Sequence, residues 1–506
     1  MSDGDDNLST LLSSASILLV ATAVGKLSKL VERIVVGRAL SPGAYGEVSV
    51  GIALLLVSVQ VSIVGFNGGI PRYISRFETF RDRRGVWVTG LTVTGALMVL
   101  VVPALYLAAP FLTNNFLERV DSPTLIRYFV LAIPFVVWMR VGLGSIRGFE
   151  NTAYKVFVND FLYPISRILL IAALLFAGYR IVAVGYAYVA TAAVAFVVTH
   201  VLLNRLMPLV GEYTTHSREL LAFSIPLVAS DVITLLLMHT DTFMLAYFSS
   251  SAEVGLYTAA FPVANGLTVV LASFGFLYLP ITSRLDSDGD HDEISRLYET
   301  VTKWAFIVTF PGFLTFVLFP DDIMRIFFGA EYAGAALALV ILSFGYLGNV
   351  IGGRNKETLL AVGLTNYLFV VDAVAYGLNL VMNLLLIPIY GFVGAAVASA
   401  TSVIAVNVGA FAVLKWKHDI TPFSTRSLRT FFLLPVLLLP TVQLVSSRVT
   451  LTMYSLLPFL VTIGAATVVV VVVTGCLTSD DRVALEFVEE STGVTIPFVR
   501  NYLPAE

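Results

Sequence analysis

The sequence predicts an all-α polytopic membrane protein of about fourteen transmembrane helices, set out as two parallel six-helix repeats around a central cavity plus a C-terminal helix pair. Three observations predict it. Hydrophobic residues make up 57% of the chain and charged residues 13%, about half the roughly 25% of a soluble domain, with a mean hydropathy of +0.87. Residues 85–117, 373–414 and 449–479 contain no Asp, Glu, Lys or Arg, and the longest of these runs must fold back, because roughly 20 apolar residues already cross the hydrocarbon core. Third, a shift of 209 positions brings two groups of six spans into register.

Taken in order, the first group of spans falls near 10–36, 47–69, 86–109, 124–145, 156–178 and 181–203. The second falls near 220–247, 254–281, 301–319, 332–353, 362–388 and 391–414, and a last pair near 430–446 and 455–477. The resulting divisions are an N-terminal stretch 1–9, an N-lobe 10–206 with spans 1–6, a C-lobe 207–414 with spans 7–12, spans 13–14 within 415–477, and a tail 478–506 with a short helix around Asp480 to Glu490. The amino terminus carries Asp3, Asp5 and Asp6 and lacks the basic n-region of a cleavable signal, so the first apolar segment reads as a retained span.

Lys and Arg in short loops stay on the cytoplasmic side. With an inside amino terminus, that side receives Arg72, Arg76, Arg81, Arg83, Arg84, Arg147, Lys155, Arg205, Arg218, Arg284, Arg296, Arg354, Lys356, Lys415, Lys417, Arg426 and Arg429. The opposite side keeps Arg38, Arg119, Arg127, Arg180, Arg325 and Arg448. The asymmetry predicts an even span count with both termini cytoplasmic, and the expected location is the plasma membrane.

The repeat shift pairs Ser41 with Ser250, Gly46 with Gly255, Pro71 with Pro280, and Val184-Gly185 with Val393-Gly394. Six spans is an even number, so both repeats share one orientation and their pseudo-twofold axis runs along the membrane normal. That arrangement suits alternating access around a site at the repeat interface, and the chain reads as a transporter.

Particular residues then carry a family resemblance. Leu40-Ser41-Pro42-Gly43-Ala44-Tyr45-Gly46 resembles the Leu-Gly-Pro-x-x-Tyr/Phe-Gly turn of the polysaccharide or oligosaccharide flippase (Wzx-type) family, within the multidrug/oligosaccharidyl-lipid/polysaccharide exporter superfamily; Ser41 stands where that turn has Gly. Gly144-Ser145-Ile146-Arg147-Gly148-Phe149 is similar to that family's Gly-x-x-Arg-Gly-x cytoplasmic turn. Asp241-Thr242-Phe243-Met244-Leu245, leading to Glu253-Val254-Gly255-Leu256-Tyr257, is similar to its span 7 to span 8 signature. The resemblance covers about residues 10–415. It implies movement of a polyisoprenyl-phosphate- or diphosphate-linked sugar from the cytoplasmic to the outer leaflet, for cell-surface polysaccharide or glycoprotein assembly, alongside glycosyltransferase or polymerase partners. The extra pair from Phe431 to Cys476 leans to this branch over the twelve-span multidrug antiporters.

An ionisable side chain at the centre of a span costs about 2.5 to 3.5 kcal/mol, so each one needs a reason. Thr22, Lys26, Lys29 and Arg33 recur at i, i+4, i+7 and i+11, one narrow stripe of span 1. Arg140 in span 4 and Arg167 in span 5 add two cations, against Glu32 and Asp160. Lys26, Lys29, Arg33, Arg140 and Arg167 are therefore the candidate head-group residues, since clustered cations in a low-dielectric cavity hold phosphate; a structural Asp160–Arg140 pair is the alternative for those two. In the second repeat, Asp231, Asp241 and Asp372 are candidates for coupling to H+ or Na+, with His239 nearby and Lys303 at the cytoplasmic end of span 9. Asn366, Asn379 and Asn383 are candidate sugar contacts, with polar interhelical packing as the alternative. Pro226 is expected to bend span 7.

Other classes are disfavoured. No loop exceeds about 20 residues, too little for the external catalytic domain of a membrane glycosyltransferase or polymerase, and no catalytic residue or cofactor is expected. The Gly-x-x-x-x-Gly-Lys-Ser/Thr phosphate loop of an ATPase is missing. The acidic run from Asp286 to Glu293 places His291 where a calcium loop needs Gly and Leu297 where it needs Glu, so no metal is expected. The single cysteine, Cys476, excludes an intrachain disulfide, and a net charge of -3 without a basic patch excludes nucleic acid. An ion-coupled multidrug or metabolite antiporter, which would favour an acidic, aromatic-lined cavity, remains the alternative transporter.

Overall fold

The computed structural model describes Gly25 and residues 27–116, 123–446 and 448–477, without the side chains at 116, 227, 229–238, 276, 277 and 426. Thr22, Lys26, residues 1–9 and the tail helix expected around 480–490 lie outside the described residues. Among the described residues there is no strand, and 11 helices are long and apolar enough to cross a membrane. One of the 11, the 54-residue Thr365–His418, breaks at Gly391 and so carries two of the expected spans. The described end of span 1 is helical over 27–39, and span 7 coincides with Ser217–Phe248, so the described part of each expected span contains a helix.

The chain falls into two compact units, Met1–Thr258 and Ala259–Glu506. The first opens with α1 (27–39), α2 (Pro42–Ser62), α3 (Phe66–Arg76), α4 (Phe80–Phe116) and α5 (Pro123–Gly148). Pro42 stands at the first turn of α2, where its missing N–H is harmless, and Ser41 Oγ caps that turn by accepting from Ala44 N at 3.5 Å. The single span expected over 47–69 is interrupted: Val64 and Gly65 take φ of 53° and 68°, and the helix restarts at Phe66. At the centre lies α5, whose Phe129, Ile133, Val137 and Val141 are fully buried at a spacing of four and which packs on α2, α3, α4 and α8 (Val182–Leu206).

Span 5 is composite, with α6 (Thr152–Val156), a π-helical turn over Phe157–Leu162 and α7 (Tyr163–Phe176). Pro164 has no N–H for the carbonyl of Asp160 four residues back, and the Tyr163 N–H bonds to Val158 O instead. The proline thus widens the turn that carries Asp160. Helix α9 (Ser217–Phe248) runs through Pro226 without interruption and packs on α2, α3 and α4; α10 (Ser251–Asn265) follows.

The second unit continues with a 3-10 turn at Gly266–Thr268, α11 (Val269–Ser273), α12 (Gly275–Ser287), α13 (His291–Leu318), α14 (Pro320–Phe327), a second 3-10 turn at Ala330–Ala335, α15 (Ala336–Gly352), α16 (Asn355–Ala361), α17 (Thr365–His418), α18 (Thr425–Ser446) and α19 (Met453–Val473). Its core is α13, whose buried Tyr298, Phe306, Phe310 and Leu314 pack among α15, α18 and α19. Asp290, in the acidic run, caps α13 by accepting from Glu293 N at 3.0 Å.

Helix boundaries reproduce the repeat. Helices α2 and α10 begin at Pro42 and Ser251, and α3 and α12 at Phe66 and Gly275; α8 begins at Val182, and the break between the arms of α17 falls at Gly391. Each pair is separated by 209 positions. Ser250 Oγ accepts from Glu253 N at 3.4 Å, repeating the cap that Ser41 gives α2.

Candidate functional site

Helix α1 has three faces. Gly25, Ser28, Glu32 and Val36, spaced by three and four, are buried, while Leu27 and Val31 on the far side are exposed. Lys29 and Arg33, one turn apart, lie beside the buried face and away from Leu27 and Val31. Lys29 is exposed and stands within electrostatic reach of Arg167, Arg140, Asp160 and Arg33. Four of the five expected head-group cations are therefore gathered in one place, and the fifth, Lys26, lies outside the described residues.

Their surroundings differ. Arg167 is not an open cation: Nε and Nη2 donate to Glu32 Oε2 at 2.9 and 2.5 Å, and its guanidinium lies 4.7 Å from the Tyr163 ring centroid and 4.4 Å from that of Tyr188. Tyr188 O–H donates to the other oxygen, Glu32 Oε1, at 2.7 Å. The side chains of Arg167 and Glu32 are only 9% and 6% exposed, so this is a buried, hydrogen-bonded ion pair fixing α1 to α7 and α8. Sequence reasoning counted Glu32 only as an opposing charge and passed over Tyr188, whose signal is faint: a tyrosine in an apolar span.

The alternative Asp160–Arg140 pair does not form. Arg140 Nη1 donates to Gln60 Oε1 at 3.1 Å, another partner that the sequence did not single out. Asp160 accepts from Asn159 Nδ2 at 2.7 Å and Lys155 Nζ at 3.4 Å, and its Oδ1 faces Gly25 across the π-turn. Lys29 and Arg33 form no ion pair among the described residues. The cluster thus contains a neutralised core, Glu32–Arg167, beside cations that carry uncompensated charge.

Among the coupling candidates, Asp231 lies in α9 with its side chain outside the described part of the structure. Asp241 accepts from Tyr257 O–H at 2.5 Å, and His239 lies within electrostatic reach of Arg33. Asp372 is ion-paired, 2.6 Å from Lys356 Nζ, and so is not the lone carboxylate expected from its place in span 11. Lys303 is 1% exposed, buried along α13. Asn379 and Asn383 are buried as well: Asn383 Nδ2 donates to Asn379 Oδ1 at 3.0 Å, and Asn379 Nδ2 to Ser402 Oγ at 3.2 Å. The bond from Asn379 to Ser402 ties the two arms of α17 together, which is the polar interhelical packing that the sequence offers as the alternative to sugar contact.

Fold and charge placement together define a multi-pass, all-α membrane protein built from a six-span repeat. The chain belongs to the polysaccharide biosynthesis protein family, whose sequence pattern matches residues 11–286; the MatE pattern matches residues 226–385. It is similar to the probable low-salt glycan biosynthesis flippase Agl15 of Haloferax volcanii, 29% identical over 195 residues, which are 38% of this chain and 40% of that protein. It is also similar to the probable flippase AglR of the same organism, 23% identical over 366 residues, 72% of this chain and 75% of that one. The aligned stretch thus spans less than half of Agl15. Among solved structures, the lipid II flippase MurJ in an inward closed conformation superposes with a TM-score of 0.69 at 13% identity, over 88% of this chain and 96% of MurJ. At that identity the likeness is one of fold.

Proposed function

We propose that this protein is a flippase that carries a lipid-linked oligosaccharide or polysaccharide precursor from the cytoplasmic to the outer leaflet of the plasma membrane by alternating access, with both termini cytoplasmic. The observation that carries the reading is the exposed Lys29 with Arg33 and Arg140 beside it, an excess of positive charge on the membrane-buried part of α1 and α5. Such charge is costly in a span unless an anion uses it, and a phosphate or diphosphate head group is an anion whose polyisoprenyl tail stays in the bilayer. Family membership and the printed names of the two relatives support the same substrate class. The reading makes the protein a carrier and not an enzyme, working beside the glycosyltransferases or polymerases that make and use the lipid-linked sugar. A cationic cluster disfavours the multidrug antiporter reading, in which a positively charged drug would be repelled.

Coupling to an H+ or Na+ gradient is part of the proposal, with Asp231 and Asp241 ahead of Asp372, whose charge Lys356 already balances. The test is a vesicle assay that separates protected from accessible lipid-linked oligosaccharide. A Lys26→Gln/Lys29→Gln variant is expected to slow translocation by about tenfold or more, the worth of one charge-assisted hydrogen bond. Translocation at the unmodified rate would remove the proposal.

A further inference from the structure

Two arginines of the cationic cluster in the first unit are held in opposite ways. Arg167 gives two hydrogen bonds to a carboxylate, Glu32, and both side chains are buried, so its charge is matched. Arg140 instead donates from Nη1 to an amide oxygen, Gln60 Oε1, at 3.1 Å, and forms no ion pair among the described residues. A guanidinium carries donors only, so the oxygen is the end of the amide that must face it. The contact fixes a direction and leaves the net charge whole.

The backbone explains how a cation is held there without an acid. Gln60 lies in the last turn of α2, which ends at Ser62, and the turn at Val64–Gly65 stops that helix inside an apolar run. The last turn of a helix presents carbonyl groups without intrahelical partners and the negative pole of the helix dipole, which favours a nearby cation. The break thus sets a helix carboxyl end two residues from the side chain that meets Arg140. Arg140 is half-buried, and its Nε and Nη2, which have no partner among the described residues, keep accessible surface, unlike the sealed Nε atoms of Arg127 and Arg354. Lys29, the other unmatched cation, stands within electrostatic reach. Two uncompensated cations with donors to spare lack one partner, an anion with several acceptor oxygens.

We infer that Gln60 is a positioning residue of the head-group site: it aims Arg140 while leaving its charge unmatched, so that a phosphate or diphosphate completes the guanidinium that the amide holds. That the anion arrives on a carried lipid rests on the flippase reading; the part played by Gln60 rests on its contact with Arg140. The test is binding, read as the rise in melting temperature of the purified full-length protein in detergent with increasing pyrophosphate, or with polyisoprenyl phosphate in the micelle. Stabilisation by pyrophosphate shows that the charged group alone is recognised, and stabilisation by polyisoprenyl phosphate alone shows that the lipid-borne form is required; either supports the site.

Gln60→Leu is expected to raise the stabilising concentration by about three- to tenfold, the worth of one hydrogen bond. Gln60→Glu accepts the same bond but matches the charge, and is expected to raise it by about tenfold or more without lowering the melting temperature of the ligand-free protein. In an Arg140→Gln background, Gln60→Leu should add less than about twofold, because the amide acts through Arg140. A merely structural Gln60 would move the melting temperature, leave the affinities alone and accept glutamate as readily as glutamine. Unchanged affinity in Gln60→Leu or Gln60→Glu, a full loss repeated in the Arg140→Gln background, or no stabilisation of the unmodified protein by either probe would overturn the role. No translocation is measured, so such an outcome leaves the flippase reading to its own vesicle assay, and a failed vesicle assay with the affinity pattern intact leaves Gln60 positioning an anion that is not carried.

Discussion

Ser49 and Thr258 occupy the same position of the two repeats, 209 residues apart, and their hydroxyl oxygens lie 3.0 Å from each other. One turn earlier the same relation holds between Gly46 and Gly255. A Cβ on Gly46 would overlap the Ser251 carbonyl oxygen, and a Cβ on Gly255 the Pro42 carbonyl oxygen. Each position meets its own counterpart, as residues do across an isologous contact. Glycine is required here for close backbone approach: both Gly46 and Gly255 are helical and neither has a positive φ.

Gly46→Ala and Gly255→Ala should each destabilise the fold by roughly 1–3 kcal/mol through overpacking. Because both methyls would enter one contact, the double variant should depart from the sum of the singles by more than about 0.5 kcal/mol. Unfolding of the purified protein in detergent, followed by helical signal, measures both. Additive, near-zero effects would mean that α2 and α10 do not touch at these glycines.

The Glu32–Arg167–Tyr188 cluster predicts a second pattern. Removing one member of a buried ion pair strands the other charge, so Glu32→Gln or Arg167→Gln should lose about 3–5 kcal/mol of stability. Replacing both with apolar residues of similar volume, Glu32→Leu with Arg167→Met, should recover most of that loss. Tyr188→Phe removes one hydrogen bond to a charged group, worth about 1.5–3 kcal/mol. If Arg167 instead belonged to an open anion-binding wall, its neutral variant would keep its stability and lose only transport.

Much of this arrangement is legible in the sequence, and the parts that are not share a cause. The span count, the 209-residue repeat and the Lys29–Arg33 stripe are periodic features, carried by hydropathy and by turn residues close together in the chain. The break at Val64–Gly65 is invisible to hydropathy, because an apolar run stays apolar whether its backbone turns or not. Partnerships are harder still. Glu32 and Arg167 were both visible as intramembrane charges, yet their pairing spans 135 positions and depends on how α1 rotates against α7. Asp160 and Arg140 were matched with each other on charge alone; Pro164 widens the helix at Asp160, and its carboxylate meets the neighbouring Asn159 and Lys155.

The amides of α17 give a prediction about specificity by its absence. Asn379 and Asn383 bond to one another and to Ser402, inside the hairpin that Gly391 creates. Interhelical hydrogen bonds of this kind are worth about 0.6 kcal/mol on average and up to about 1.7 kcal/mol. Asn379→Ala and Asn383→Ala should therefore lower stability by that order while leaving the preference among lipid-linked sugars unchanged in the vesicle assay. A switch of glycan preference in either variant would return these residues to the substrate path.

Asp372 and Lys356 predict where gradient coupling does not reside. The pair joins α16 to α17 at 2.6 Å with side chains 28% and 37% exposed, and a partly exposed pair of this kind should contribute less than about 1 kcal/mol to stability. The ammonium of Lys356 already supplies the positive charge that a coupling ion would bring to this carboxylate. Asp372→Asn should accordingly melt close to the unmodified protein and keep its response to an imposed H+ or Na+ gradient. Asp231→Asn should lose that response, if the carboxylate in the middle of α9 is the coupling group. The decisive measurement is translocation with and without each gradient in the two variants side by side; loss of gradient dependence in Asp372→Asn with retention in Asp231→Asn would reverse the assignment.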